Sequence, residues 1–162
     1  EQTEHEITDS GKKAMTAEKI VVTESVEDAA EFLKQTEGKI LLTTGSKELA
    51  KYTVIPDYRE RCYARVLSTL KAVQDSVELG FTGKHLIAMQ GPFSVEMNLA
   101  VLHQTEAKYF VTKESGTAGG FEEKVLAAEQ AGAVLVVIGR PQEEGMSVDE
   151  TCRYLKEILR TK

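Results

Sequence analysis

The stretch VLVVI at residues 134–138 is apolar at every position. A strand with one face in water alternates apolar and polar side chains, whereas a strand covered on both faces does not. ILL at residues 40–42 has the same character. Together these two segments predict a parallel sheet that carries helices on both faces.

Strand-like segments alternate with helical ones along the chain. A pattern resembling a capping box at residues 25–28 opens a helix that ends near Gly38, and residues 147–150 open the last helix in the same way. Because such βα repeats connect parallel strands, we predict an α/β fold, a three-layer sandwich with a mostly parallel sheet of five or six strands. The candidate strands are residues 20–23, 39–43, 62–67, 85–89, 108–112 and 133–138.

Length and charge restrict the class of protein. The chain has 162 residues, a formal net charge of -6 and 41% hydrophobic residues. This length suits one domain, and no apolar run approaches the ~18 residues of a membrane span. The negative charge disfavours a nucleic-acid binder, which needs a basic face, and the acidic start does not match a secretory leader. We expect a cytoplasmic protein that binds neither nucleic acid nor membrane, with residues 1–19 as a tail or linker and residues 20–162 as its domain.

Cysteine and histidine spacing gives no sign of a metal site. Cys62 and Cys152 are far apart in sequence and match no metal or redox motif. The three histidines form no i, i+4 pair. We therefore predict two reduced thiols and no metal.

Polar or glycine-containing segments follow four of the predicted strands. Because the carboxyl ends of parallel strands meet at one edge, these segments are expected together, at the edge where α/β folds bind ligands. Gly and Pro also occur in ordinary loops, so ligand-free turns remain the alternative. The segments are TTGSK at residues 43–47, QGPFS at 90–94, KESG at 113–116 and GRP at 139–141.

The glycine-rich junction KESGTAGGF at residues 113–121 lies between a β-prone run and an amphipathic helix. The first N–H groups of a helix favour an anion, and glycines let a ligand approach the backbone closely. The spacing is not the G-x-G-x-x-G of dinucleotide-binding folds, and a tight turn without a ligand is the alternative. No P-loop motif follows any strand, which disfavours phosphoryl transfer.

Five blocks spanning residues 41–141 resemble, in the same order, the C-terminal half of the precorrin-6A reductase family of cobalamin biosynthesis. The blocks are LLTTGSKEL at residues 41–49, RVL at 65–67, MQGPFS at 89–94 with Asn98, VTKESG at 111–116 with Gly119 and Gly120, and RP at 140–141. The resemblance implies a two-domain, Rossmann-like reductase whose domains enclose a cleft. Such an enzyme transfers hydride from NADPH or NADH to one double bond of a polycarboxylated corrin precursor, precorrin-6A or its cobalt-containing form.

The family's N-terminal domain opens with a strand and a Gly-Gly-Thr-type turn. Nothing of that kind precedes Ile20 in this sequence. We therefore expect the chain to hold the second domain, to need the N-terminal domain as its partner, and to be inactive alone. The other hypothesis is a non-catalytic Rossmann-like module that binds a nucleotide or another small anion.

Hydride transfer depends mainly on positioning, because the cofactor carries the reactivity. Lys113 is the candidate for an active role, pairing an anionic group or supplying charge near the reduced bond, although a strand-end lysine is often only solvated. Ser46 is a candidate anion ligand or simply a helix N-cap. The expected cofactor-binding residues are Thr43, Thr44, Gly45, Ser46, Ser115, Gly116, Gly119 and Gly120.

The substrate's carboxylates call for planar, bidentate donors, and a guanidinium group supplies them. Arg140 could instead only anchor the loop that Pro141 restrains. Gln90 would present its amide toward the cleft from a turn shaped by the next two residues. The expected substrate-binding residues are Arg65, Gln90, Gly91, Pro92 and Arg140.

Overall fold

The computed structural model describes residues 14–15, 19–114, 120–139 and 148–160. Within them a sheet of seven strands forms the centre of the molecule. The strands are β1 (Ala14–Met15), β2 (Ile20–Thr23), β3 (Lys39–Leu42), β4 (Cys62–Val66), β5 (Leu86–Ala88), β6 (Ala107–Lys113) and β7 (Val134–Ile138).

The strand order is β1-β2-β7-β6-β3-β4-β5. All pairs from β2 to β5 are parallel, whereas β1 pairs antiparallel with β2. The predicted α/β class and mostly parallel sheet are confirmed, and each predicted strand overlaps an observed one. β1 lies inside the segment expected to be a tail, and a two-residue strand has no periodicity from which it could be predicted.

Helices cover both faces of this sheet. They are α1 (Val26–Lys34), α2 (Tyr58–Arg61), α3 (Leu70–Glu78), α4 (Val95–Thr105), α5 (Phe121–Ala131) and α6 (Val148–Arg160), with 3-10 helices at Ser46–Val54 and Gly83–His85. The side chain of Ser25 caps α1 by accepting a hydrogen bond from the backbone N–H of Asp28, at 3.1 Å. Gly132 ends α5 in the left-handed conformation, with φ of 70°, as its position in the sequence predicts.

Two hydrophobic cores flank the sheet. One lies under α1, the longer 3-10 helix and α3, and it takes Ile40 and Leu42 from β3. The other lies under α4, α5 and α6 and takes Leu41 from the same strand. Successive residues of β3 thus enter opposite cores, which explains why the strand is apolar at every position.

The strand order reverses between β3 and β6. After β3 the chain runs through the first layer, along the 3-10 helix and α2, to β4. After β6 it runs through the second layer, along α5, to β7. Because β3 and β6 are neighbours, their carboxyl ends border a topological switch point, where open α/β sheets bind ligands.

The four polar segments all follow parallel strands of this sheet, namely β3, β5, β6 and β7. Their described parts therefore lie at the same edge, while residues 115–116 and 140–141 are outside the described residues. In the described part of the chain, no helix is long and apolar enough to cross a bilayer. The same residues contain no cluster of three His, Cys, Asp or Glu suited to a metal ion.

Candidate functional site

Three polar side chains form a row across β6, β3 and β4 at their carboxyl ends. Leu42 pairs with Val111 on one side and with Ala64 on the other. The next residue along each strand is therefore Thr112, Thr43 or Arg65. The residues two positions earlier, Phe110, Leu41 and Tyr63, all belong to the core under α4, α5 and α6. Because side chains alternate along a strand, the polar row faces that same layer of helices.

Arg65, on β4, is the cation at the end of this row, and only 5% of its surface is exposed. Its Nη1 donates a hydrogen bond to Oδ1 of Asn98, at 2.8 Å. Its guanidinium carbon lies 3.9 Å from the ring centroid of Phe93. The Nη2 atom is buried and has no hydrogen-bond partner among the described residues. Burial lowers the pKa of Arg65 to about 10, so the group remains a cation at neutral pH.

Asn98 holds the guanidinium in place from α4. It is fully buried, and its Nδ2 donates a hydrogen bond to the backbone oxygen of Ser94, at 3.0 Å. Ser94 is also the N-cap of α4, because its side chain accepts from the backbone N–H of Met97. The start of α4 thereby fixes the Asn98 oxygen that orients Arg65.

Lys124 on α5 is a second cation beside Arg65, and the sequence analysis missed it. Its Nζ donates to Oγ1 of Thr112, at 3.0 Å. Burial, together with the positive charge of Arg65, lowers the pKa of Lys124 to about 8. A signal was present in the sequence: Lys124 lies three residues after Phe121 and one before Val125, on the apolar stripe of a helix.

A cavity of ≈ 130 Å³ opens between these groups and the ends of β3, β4 and β5. The two cations lie on its walls, and much of the remaining lining is apolar. The lining residues are Thr43, Gly45, Arg65, Val66, Leu67, Met89, Phe93 and Lys124. The expected residues Thr43, Gly45 and Arg65 are thus brought together here.

Lys113 does not line this cavity. It lies two residues after Val111, which belongs to the core on the other face of the sheet. Its side chain is 46% exposed, and its Nζ lies 3.3 Å from Oε1 of Glu48. Glu48 also pairs with Lys51, at 2.9 Å. Lys113 therefore already has a carboxylate partner, which it shares with Lys51.

Two of the hydroxyls expected to bind the cofactor, those of Thr43 and Thr44, are engaged within the protein. Oγ1 of Thr43 donates to the backbone oxygen of Val111, at 2.6 Å, and the Thr44 hydroxyl lies 3.0 Å from that of Tyr52. Gly45, and not Ser46, is the N-cap residue of the 3-10 helix. Gly45 has φ of 93°, and a Cβ there would meet no atom within 4 Å, so its backbone is open to a ligand.

The glycine-rich junction after β6 is described only at its end. Gly120 is the N-cap of α5, with φ of 72°. The first turn of that helix carries Glu122 and Glu123, whose charges oppose an anion there. The expected residues Ser115, Gly116, Gly119 and Arg140 lie outside the described residues.

The loop before α4 supports the cavity through Phe93. Gln90 and Pro92 are exposed, whereas Gly91 is partly buried. A Cβ at Gly91 would lie 3.1 Å from Cε2 of Phe93, the ring that stacks on Arg65. Glycine at this position therefore lets the aromatic ring reach the guanidinium group.

A family model described as precorrin-6x reductase CbiJ/CobK matches residues 7–159. The chain belongs to this family. Among relatives of this reductase-family chain, the cobalt-precorrin-6A reductase of Priestia megaterium is 37% identical over 149 residues, covering 91% of this chain and 58% of that protein. The cobalt-precorrin-6A reductase of Salmonella typhimurium is 40% identical over 117 residues, covering 72% of this chain and 44% of that protein.

A solved structure of a CobK precorrin-6A reductase shares the fold. It matches with a TM-score of 0.59 and 18% identity, covering 90% of this chain and 58% of that one. The present chain spans about half the length of the curated relatives it matches. Arg65 and the loop before α4, which the resemblance singled out, are among the residues that build the cavity.

Proposed function

We propose that this chain forms the C-terminal domain of a two-domain precorrin-6A reductase. The reaction would transfer hydride from NADPH or NADH to one double bond of precorrin-6A or cobalt-precorrin-6A, in cobalamin biosynthesis. The family match and the relatives' names support this assignment. The observation that carries it is the buried, incompletely paired Arg65, at the sheet edge where such folds bind ligands.

In this reaction, this domain would bind and position the substrate, and its side chains would not react with it. When bound, the nicotinamide supplies the hydride, and a proton completes the reduction at the neighbouring carbon. Arg65 would bind a carboxylate of the substrate and so fix the ring relative to the hydride donor. Phe93 would shield that contact from water, which strengthens it.

The remaining residues expected to bind the cofactor or the substrate differ in the observations that support them. Gly45 fits the approach of an anionic group, because the space beside its Cα is open. The Thr43 hydroxyl already donates to Val111, so it remains free only to accept, whereas the Thr44 hydroxyl shares one hydrogen bond with that of Tyr52. Lys113 would take its active role only by exchanging Glu48 for an anion of the substrate or cofactor. Gln90, Gly91 and Pro92 would meet the substrate at the rim.

The test is a reconstitution. The chain is titrated with NADPH and with NADH, and the titrations are repeated with the family's N-terminal domain joined to it, with and without precorrin-6A and cobalt-precorrin-6A. Loss of nicotinamide absorbance together with formation of the reduced corrin, only when both domains are present, is the expected result. Saturable nucleotide binding without consumption of either substrate would instead favour a non-catalytic binding module.

A further inference from the structure

We propose that the cavity between β4, β5 and α5 binds the carboxylate of one aliphatic side arm of the substrate, gripped jointly by Arg65 and Lys124. This inference rests on the proposed function for the identity of the substrate. The grip itself concerns only an aliphatic carboxylate, which can be tested without any turnover.

The two cations have hydrogen-bond donors without a partner in the described part of the chain. Among the described residues, Nη2 of Arg65 is buried without a partner, which is costly for a charged group. Lys124 spends one bond on Thr112, and an ammonium group has three donors. Both residues line the same cavity. A carboxylate placed between them would accept from both, and charge-assisted bonds of this kind are the stronger ones.

The charges are not neutralised within the described part of the chain. Ion pairs among these residues occur elsewhere on the surface, and none includes Arg65 or Lys124. The hydrogen-bond partners of the two cations, Asn98 and Thr112, are neutral. Two like charges held together in this way favour an anion between them.

Size and lining identify the kind of anion. A cavity of ≈ 130 Å³ is smaller than the roughly 300–1,000 Å³ of pockets that enclose a whole ligand. It has room for the end of one side arm, while a macrocycle would stay outside. The side chains of Val66, Met89 and Phe93 suit methylene groups, whereas a nucleotide phosphate is joined to a polar ribose. The shape therefore favours an alkyl carboxylate over a phosphate ester.

The first experiment measures binding of propionate to the chain by NMR, at constant ionic strength. The methyl signal of Met89, in the cavity, reports binding, and that of Met97, 40% exposed on α4, serves as the internal reference. Propionate is expected to shift the Met89 signal saturably and to bind more tightly than inorganic phosphate. No saturable shift, or tighter binding of phosphate, would overturn the inference.

Matched variants then test whether Arg65 and Lys124 each bind the carboxylate of propionate. Lys124→Gln keeps a donor for Thr112 but removes the charge, and we expect propionate binding to fall about tenfold. Lys71→Gln is the control, because Lys71, at the start of α3, is 81% exposed and pairs with Asp75. The variant for the other cation is Arg65→Gln. If Arg65→Gln does not fold, Arg65→Lys replaces it, because that variant keeps a positive charge at residue 65. Equal affinity in Lys124→Gln and the wild-type chain would remove Lys124 from the site.

Kinetics separate this inference from the proposed function. In the two-domain reductase, Lys124→Gln is expected to raise KM for the corrin precursor about tenfold and to leave kcat close to that of Lys71→Gln. A parent enzyme that reduces no corrin precursor would refute the proposed function and leave the propionate result intact. An active enzyme whose KM does not change in Lys124→Gln would refute the joint binding of the carboxylate by Arg65 and Lys124, and it would leave the proposed function intact.

Discussion

Two groups of cations lie at the same edge of this sheet, on opposite faces, and they differ in their partners. Lys113 and Lys51 share the carboxylate of Glu48, and Lys51 also pairs with Glu27, at 3.0 Å. These side chains are 22–62% exposed. Arg65 is 5% exposed and Lys124 is partly buried, and both have only neutral partners among the described residues.

The comparison teaches which cations are available for a ligand. A surface cation with a carboxylate partner is already neutralised and contributes little to stability. A buried cation without one carries a desolvation cost that an anionic ligand can offset. The lowered pKa values of Arg65 and Lys124, both caused first by burial, express that cost. The contrast points to the Arg65 face as the binding face.

The largest effect is expected at Arg65. Arg65→Met in the two-domain reductase removes the most buried donor and should raise KM for the corrin precursor about a hundredfold, since losing one partner of a buried charge contact costs several kcal/mol. Steady-state kinetics at matched ionic strength provide the measurement. A KM within a factor of a few of the parent value would contradict the assignment of the Arg65 face as the face that binds the substrate.

The next largest effect is expected for Lys124, in the pH dependence of the free energy of unfolding. Its folded pKa, about 8, is lower than the 10.5 of an ordinary lysine, so the unfolded chain binds more protons between these two pH values. The free energy of unfolding should therefore rise from pH 8 to 10.5, by about 1–3 kcal/mol more in the wild-type chain than in Lys124→Gln. Urea unfolding at several pH values measures this difference, and parallel curves for the two proteins would contradict it.

Lys113 gives a smaller expected effect. Lys113→Gln in the two-domain reductase should weaken turnover or binding several-fold if Lys113 exchanges Glu48 for an anion during the reaction. Glu48→Gln is the companion variant, because it frees Lys113 without removing its charge. Unchanged kinetic constants in Lys113→Gln would leave Lys113 as a surface partner of Glu48 and widen the contrast between the faces.

The smallest effect is expected at Lys51. Lys51→Gln breaks the contacts to Glu48 and Glu27, yet all three side chains reach solvent. Exposed ion pairs lose in side-chain entropy and screening much of what they gain in attraction. We expect an unfolding midpoint in urea close to that of the parent, with no added sensitivity to salt. A large drop would mean that the exposed network stabilises the fold more than its exposure suggests.

Much of the fold could be predicted because its signals are local. Apolar runs such as VLVVI at 134–138 mark strands buried on both faces, and Gly132 marks the end of α5. The candidate site was predicted only in part. Arg65 was singled out by resemblance, whereas Lys124 was missed although it lies on the apolar stripe of α5, because the sequence does not show that this stripe meets Thr112. The choice of Lys113 as the active lysine stays a prediction, which its pairing with Glu48 does not favour.

The amino-acid sequence by itself determined the succession of strands and helices along the chain, the burial of the strands on both sides, and hence the edge at which the polar loops meet. Only the tertiary structure decided which cations of that edge share a cavity. The physical reason is that side chains alternate between the faces of a strand, while the helix connections decide what covers each face. Because α4 and α5 cross the same face, Asn98 and Lys124 meet Arg65 there, and Lys113, on the other face, meets Glu48.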